Sequence, residues 1–145
     1  MRILAVDPGG TTGWVTYDTD TEEFRSGQEA DRHEFCVLAA EALHFGVGTV
    51  VCEDFRITVQ TAKKSQQPDA LKIIGTTEYL ATIEGAAFVL QTPGDAKRFS
   101  TDTRLKKAGF WTPGRRHAND AARHLFLFMA KKGLLNAVEV DAREG

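Results

Sequence analysis

The sequence is poor in cysteine, has no long apolar run and carries almost no net charge. Its 145 residues include 2 cysteines, Cys36 and Cys52, too far apart to form a CxxC pair. A disulfide framework and a cysteine zinc ribbon are therefore excluded, and the composition suits a reducing compartment. No apolar stretch approaches the roughly 20 residues that a membrane helix needs. The opening MRILAVD reads as a short strand that turns acidic too soon for a signal peptide. Repeats, low-complexity runs and linkers are also lacking. What is present is an ordinary globular balance of 42% apolar and 26% charged residues, enough for a core of normal size. The expectation is a soluble, cytoplasmic protein with one domain over residues 1–133 and no membrane partner. The acidic tail, residues 134–145, is expected to be loose.

The net charge of -2 conceals an asymmetry. Residues 1–59 hold 4 Lys/Arg against 11 Asp/Glu, whereas residues 60–132 hold 13 against 6. The basic residues come in pairs: Lys63-Lys64, Lys97-Arg98, Lys106-Lys107 and Arg115-Arg116. Such a distribution fits contact with a phosphate backbone, although solvated helix ends and loops would give the same pairs.

Residues 2–7 alternate and end at an aspartate before Pro8-Gly9-Gly10, the pattern of a strand and its breaker. Residues 13–17 and 23–27 read as two further strands, completing an antiparallel meander. Asp31 caps a helix to about residue 45, and Gly46 and Gly48 end it. Residues 49–52 form a fourth strand, apolar enough to be buried on both faces, ending at Glu53-Asp54. Residues 55–67 read as a polar, basic loop. Pro68 opens a helix to about residue 84, with Leu71, Ile74, Tyr79, Leu80 and Ile83 inward. Residues 86–90 form a fifth strand. Short helices follow Thr92-Pro93 and span 103–108. A last helix runs from about Arg115 to Lys132, where Gly133 stops it. The order predicts an α/β fold with a mixed sheet, three antiparallel strands followed by strands that alternate with helices on the faces.

Groups at strand ends of such sheets face the crevice where ligands bind. Asp7 ends the first strand and Glu53 the fourth; they meet if those strands are parallel neighbours. His117 and Asp120, three apart, share one face of the last helix. Ala118, Ala121 and Ala122 allow that helix to approach the sheet, with Leu125, Phe126, Phe128 and Met129 anchoring its far end. Asp7, Glu53, His117 and Asp120 form the candidate catalytic and metal-binding set. Carboxylate oxygens suit Mg²⁺, with Mn²⁺ as a substitute, and two such ions can activate water and stabilise a leaving oxygen in phosphodiester hydrolysis. His117 could ligate a metal or orient the attacking water. Each residue alone also has a bland reading: a turn aspartate, a solvated glutamate, a surface His–Asp pair. Their joint placement distinguishes them.

At this point the sequence resembles the RuvC-like resolvases of the RNase H-like superfamily, particularly their phage-encoded relatives. The matching segments are ILAVDPGGTTGW at 3–14, VVCEDF at 50–55, DALKIIGTTEYLA at 69–81, TPGDAKRF at 92–99 and HANDAARHL at 117–125. The resemblance implies an RNase H-like fold with a mixed five-stranded sheet. It places the family's catalytic acids on Asp7 and Glu53 and its closing pair on His117 and Asp120, the former position being carboxylate in some members and histidine in others. It also implies Mg²⁺-dependent nicking of branched DNA, such as four-way Holliday junctions and, by extension, flaps or forks. The products carry 5′-phosphate and 3′-hydroxyl ends, and the enzyme is a two-fold dimer. Phe55 becomes a candidate contact with the junction centre, though a strand-end core role fits equally. Lys97 becomes the family's basic residue, with a later one among Arg104, Lys106 and Lys107. With Lys63, Lys64, Arg98, Arg115 and Arg116, these are the candidate DNA-binding residues.

Three rivals differ in class. The DPGGTT segment also resembles the phosphate loop of sugar-kinase and actin-like ATPases, but those enclose ATP between two lobes. A YqgF-like nuclease acting on RNA, or on RNA–DNA hybrids, would share the acidic set. A non-catalytic nucleic-acid module would not tolerate that set facing phosphate unless metal neutralised it. His33 and Cys36 lack further partners for a metal site. Trp14 reads as core. Trp111 reads as packing, with base stacking the alternative. His124, one turn beyond Asp120, reads as a helix-surface residue, with a supporting role behind the site the alternative.

Overall fold

The structure, a computed structural model, describes residues 1–56 and 67–145. The elements are β1 (Arg2–Asp7), β2 (Thr12–Asp18), β3 (Phe24–Glu29), α1 (Arg32–His44), β4 (Thr49–Glu53), α2 (Gln67–Ile83), β5 (Ala87–Gln91), α3 (Pro93–Phe99), α4 (Asp102–Ala108), α5 (Arg116–Lys132) and α6 (Ala137–Glu144). The strands form one sheet in the order β3-β2-β1-β4-β5. β1 pairs antiparallel with β2 and parallel with β4, and β4 pairs parallel with β5. This is the mixed five-stranded sheet that the element order predicts.

β1 lies at the centre, with Ile3, Leu4, Ala5 and Val6 fully buried. Because side chains alternate along a strand, each strand feeds two cores. Ile3 and Ala5 join Val51 and Val89 against α5, together with Leu105 of α4 and Ala142 of α6. Leu4 and Val6 join Val50, Cys52 and Phe88 against α1 and α2. α1 is capped by the Asp31 side chain, which accepts from the His33 amide, and buries Phe35, Ala39 and Leu43 at intervals of one turn.

Two expectations are corrected. Of the large α2 residues expected inward, Leu71, Tyr79 and Ile83 are exposed, while Ile74 and Leu80 are partly buried and pack against the core. Its buried face is Ala70, Ile73, Thr77 and Ala81. Ile73 is the large residue that this face buries outright, with Ala70, Thr77 and Ala81 as small neighbours, and the Thr77 hydroxyl is satisfied by the Ile73 and Ile74 carbonyls. The tail is not loose either. Residues 137–144 form α6, opened by a capping box in which Asn136 and Glu139 satisfy each other's backbone amides. Glu139 is buried and accepts from the Tyr17 hydroxyl at 2.7 Å. Burial and that bond push the Tyr17 phenol up.

α5 sits on the sheet at unusually short range. A Cβ at Gly13 would stand 1.9 Å from the His117 carbonyl oxygen and 2.6 Å from the Ala118 nitrogen. These are backbone atoms and cannot swing aside. Gly13 is also the β2 partner of Asp7. Replacing Gly13 with Ala must lift the start of α5 off the sheet, at a cost of roughly 2–3 kcal/mol. Thermal unfolding should show a midpoint lower by about 5–10 °C; an unchanged midpoint would contradict this seating.

Candidate metal centre

The parallel register carries the site. Val6 of β1 is opposite Cys52 of β4, so the next residues, Asp7 and Glu53, end adjacent strands side by side. Glu53 in turn is the register partner of Gln91 on β5. All three continue the parity of Ala5, Val51 and Val89 and so project toward α5.

α5 brings the complementary groups. His117 Nδ1 is 3.2 Å from Asp7 Oδ2, and Asp120 follows one turn on. Ligand atoms of Asp7, His117 and Asp120 all lie within 4.8 Å of one another. His124 Nε2 is 3.5 Å from Glu53 Oε1. The helix start has no side-chain cap of its own. Instead Gln28 of β3 accepts from the His117 and Ala118 amides at 2.7 and 3.3 Å. Arg123 holds Asp120 from behind: its Nε is 3.3 Å from Asp120 Oδ1, while its other nitrogens donate to the Ser100 carbonyl and to Asp102.

Crowding carboxyls in this crevice perturbs them. Burial first, then Glu53 and the charge of Asp120, raise Asp7 far above the carboxylate range. Burial alone would raise Glu53 as well, but hydrogen bonds from His124 and Asp7 and the charge of Lys97 outweigh it, so Glu53 is lowered. Ionising both at once is therefore unfavourable, which pushes the pair toward sharing one proton, with Asp7 raised and Glu53 lowered. His117 is lowered by burial and by Arg116, so its imidazole is readily neutral and able to ligate. Two carboxylates, a third acid and one neutral imidazole match the donors that Mg²⁺ or Mn²⁺ takes. A cation would remove the need for the shared proton, so the residues fit a divalent metal.

Beside Asp120 opens a cavity of about 740 Å³ whose lining includes Lys97, Trp111, Arg115, Arg116, Asn119 and Arg123. Lys97 is exposed, and its charge acts on both Asp7 and Glu53. Arg115 and Arg116 are exposed at the start of α5. The loop before them is tied down by Asn119, which exchanges hydrogen bonds with the Thr112 backbone, and by a Ser26–Thr112 hydroxyl contact. Other candidate contacts have partners within the protein. Arg98 pairs with Asp95. Arg104 donates to the Phe99 carbonyl and stacks on its ring. Lys106 lies over Trp111, 4.8 Å from the ring centre. Lys107 is exposed, and Phe55 is half-buried just beyond β4. Lys63 and Lys64 lie outside the described residues.

Gln91, His124, Arg123 and Gln28 were absent from the candidate set. His124 is buried, 1% exposed, rather than on the helix surface.

The fold is of the RNase H-like class. Among solved structures, the chain is similar to a Thermus thermophilus RuvC structure, with a TM-score of 0.69 and 16% identity over 92% of this chain and 98% of that one. It is also similar to T. thermophilus RuvC in complex with Holliday junction substrate, with a TM-score of 0.65 and 17% identity over 92% and 97%. The chain thus has a RuvC-like fold. No protein-family model matches the sequence, and no curated protein is significantly similar to it in sequence.

Because folding raises Asp7, the metal-free protein keeps a proton that the unfolded chain releases near the ordinary value of 3.8. Above that value, stability from this group falls as pH rises. Glu53 has the opposite sign, but its contribution is complete above its unfolded value of 4.5. Without metal, the unfolding midpoint should therefore fall between about pH 6 and 9, more steeply than in Asp7→Asn, and added Mg²⁺ should offset the fall. Parallel curves for the two proteins would refute the assignment.

Proposed function

We propose that the protein is a metal-dependent endodeoxyribonuclease selective for branched DNA, of which four-way junctions are the leading substrate. The observation that carries this reading is the meeting of Asp7 and Glu53 with His117 and Asp120, beside a basic cavity on a RuvC-like fold. One of the similar structures is described as bound to a Holliday junction substrate, which supports the choice of DNA.

Asp7, Glu53, His117 and Asp120 would hold divalent cations, with two ions per site. Such ions supply Lewis-acid stabilisation of the phosphate and a lowered pKa for the attacking water. The chain's own groups do the rest. Lys97, Arg115 and Arg116 bind and orient the backbone through its charge. Where His117 does not ligate, its neutral nitrogen can instead orient the attacking water near the reacting phosphate. Asp7 must give up its shared proton before it can ligate, so metal affinity rises with pH. A two-fold dimer belongs to the proposal, since paired nicks need two sites. Its candidate surface is the exposed stripe Leu71, Gly75, Tyr79 and Ile83 on α2, spaced one turn apart.

A cleavage assay with Mg²⁺ or Mn²⁺ on a four-way junction, a flap, linear duplex and an RNA–DNA hybrid tests the reading. The junction should receive paired nicks, and Asp7→Asn should lose cleavage by about 100-fold or more while still binding the junction. Cutting of the hybrid alone would move the substrate to RNA, and no cutting of any substrate would refute the enzyme. Substituting alanine at both Arg115 and Arg116 should weaken junction binding and lower the slope of log affinity against log salt by roughly 2. An unchanged slope would remove them from the contact surface.

A further inference from the structure

Beneath Glu53 lies a buried chain of polar groups that the proposed chemistry does not use. Gln91 is 6% exposed and His124 1% exposed, on β5 and α5 respectively. The Gln91 amide nitrogen is 3.0 Å from the His124 carbonyl oxygen and 3.2 Å from His124 Nδ1. A carbonyl only accepts, so the group facing it must be the Gln91 NH₂, which fixes the orientation of the amide. That NH₂ has two hydrogens, one for the carbonyl and one for Nδ1. Nδ1 must then be the accepting nitrogen, and the ring proton sits on Nε2, 3.5 Å from Glu53 Oε1. Each link is set by the one before it, from strand β5 to helix α5 to the end of β4. An aromatic ring would fill the same space without these polar groups, whose burial is costly unless every one has a partner.

We infer that His124 is a positioning residue for Glu53: Gln91 fixes its tautomer, and its Nε2–H aims the Glu53 carboxylate into the metal site. Histidines that ligate metals are commonly steered by a hydrogen bond behind them; here the steered ligand is the carboxylate and the histidine is the steering group. The inference rests on the metal-dependent reading of the site.

Two measurements test it. In metal-free protein, ¹H–¹⁵N correlation of the histidine rings should show His124 protonated at Nε2 with Nδ1 bare. A proton on Nδ1 would overturn the inference without reference to any metal or variant. Mn²⁺ binding, followed by the loss of the free-ion electron paramagnetic resonance signal, should weaken about tenfold or more in His124→Phe, which keeps ring volume and loses the donor. His124→Gln, which returns an N–H near the Nε2 position, should recover most of that loss. The Mg²⁺ concentration for half-maximal cleavage should move by the same factor, with junction affinity unchanged. Wild-type binding of Mn²⁺ with equal binding by His124→Phe would overturn the positioning role alone. Failure of the wild type to bind Mn²⁺ would overturn both it and the metal-dependent reading.

Discussion

The seating of α5 on the sheet at Gly13 is the contact on which the site depends. A helix held off by ordinary side chains lies about 10 Å from a sheet's mean plane, too far for short side chains to meet strand-end carboxylates. Here the absent Cβ at Gly13 and the small residues Ala118, Ala121 and Ala122 remove that spacer. His117 and Asp120 consequently reach the row that the parallel register creates at the ends of β1, β4 and β5. Gln28, reaching up from β3 to cap α5, fixes where the helix begins and therefore which of its residues face that row.

The same closeness makes the site electrostatically unfavourable without a cation. Asp7 and Glu53 cannot both ionise at low cost in a buried crevice, and they resolve this by sharing a proton. The two halves of the chain, acidic before residue 60 and basic after it, converge at this point. β1 and β4 contribute the carboxylates Asp7 and Glu53, while α3 and the start of α5 contribute Lys97, Arg115 and Arg116, with Asp120 the one acid of the proposed set from the basic half. A phosphate backbone meeting only the acidic half would be repelled, and one meeting only the basic half would be bound without chemistry. A metal site ringed by cations reconciles the two.

How much of this was legible depends on the kind of signal each residue leaves. Asp7 and Glu53 were visible because each follows a short apolar strand, and His117 and Asp120 because their spacing puts them on one helical face. Gln91 left no mark, since a neutral amide at a strand end looks like any polar boundary residue. His124 was misassigned because α5 is buried over nearly its whole circumference, with Asn119 and residues 124–129 all inside. One-sided amphipathic reasoning fails for such a helix. α2 is legible only in part because apolar residues occur on more than one of its faces: Ala70, Ile73, Thr77 and Ala81 mark the buried one, while Leu71, Tyr79 and Ile83 stand exposed. Asn136 and Glu139 have capping-box spacing, a signal that the reading of the tail from its acidic composition does not use.

A site built this way has a consequence for precision. The proposed metal ligands rest on secondary structure rather than on loops, and the element bearing two of them is the core of the larger hydrophobic cluster. Asn119, between the proposed ligand Asp120 and the buried Ala118, also clamps the loop that leads to Arg115. Arg123 ties Asp120 to the Ser100–Asp102 turn between α3 and α4. The cationic surface and the acidic centre are thus joined through α5 by these contacts. A phosphate held by Arg115 and Arg116 would meet Asp7 and Glu53 at a separation set by core packing, not by loop closure. Preset geometry of this kind lowers the entropic cost of aligning a bound group with the side chains that meet it.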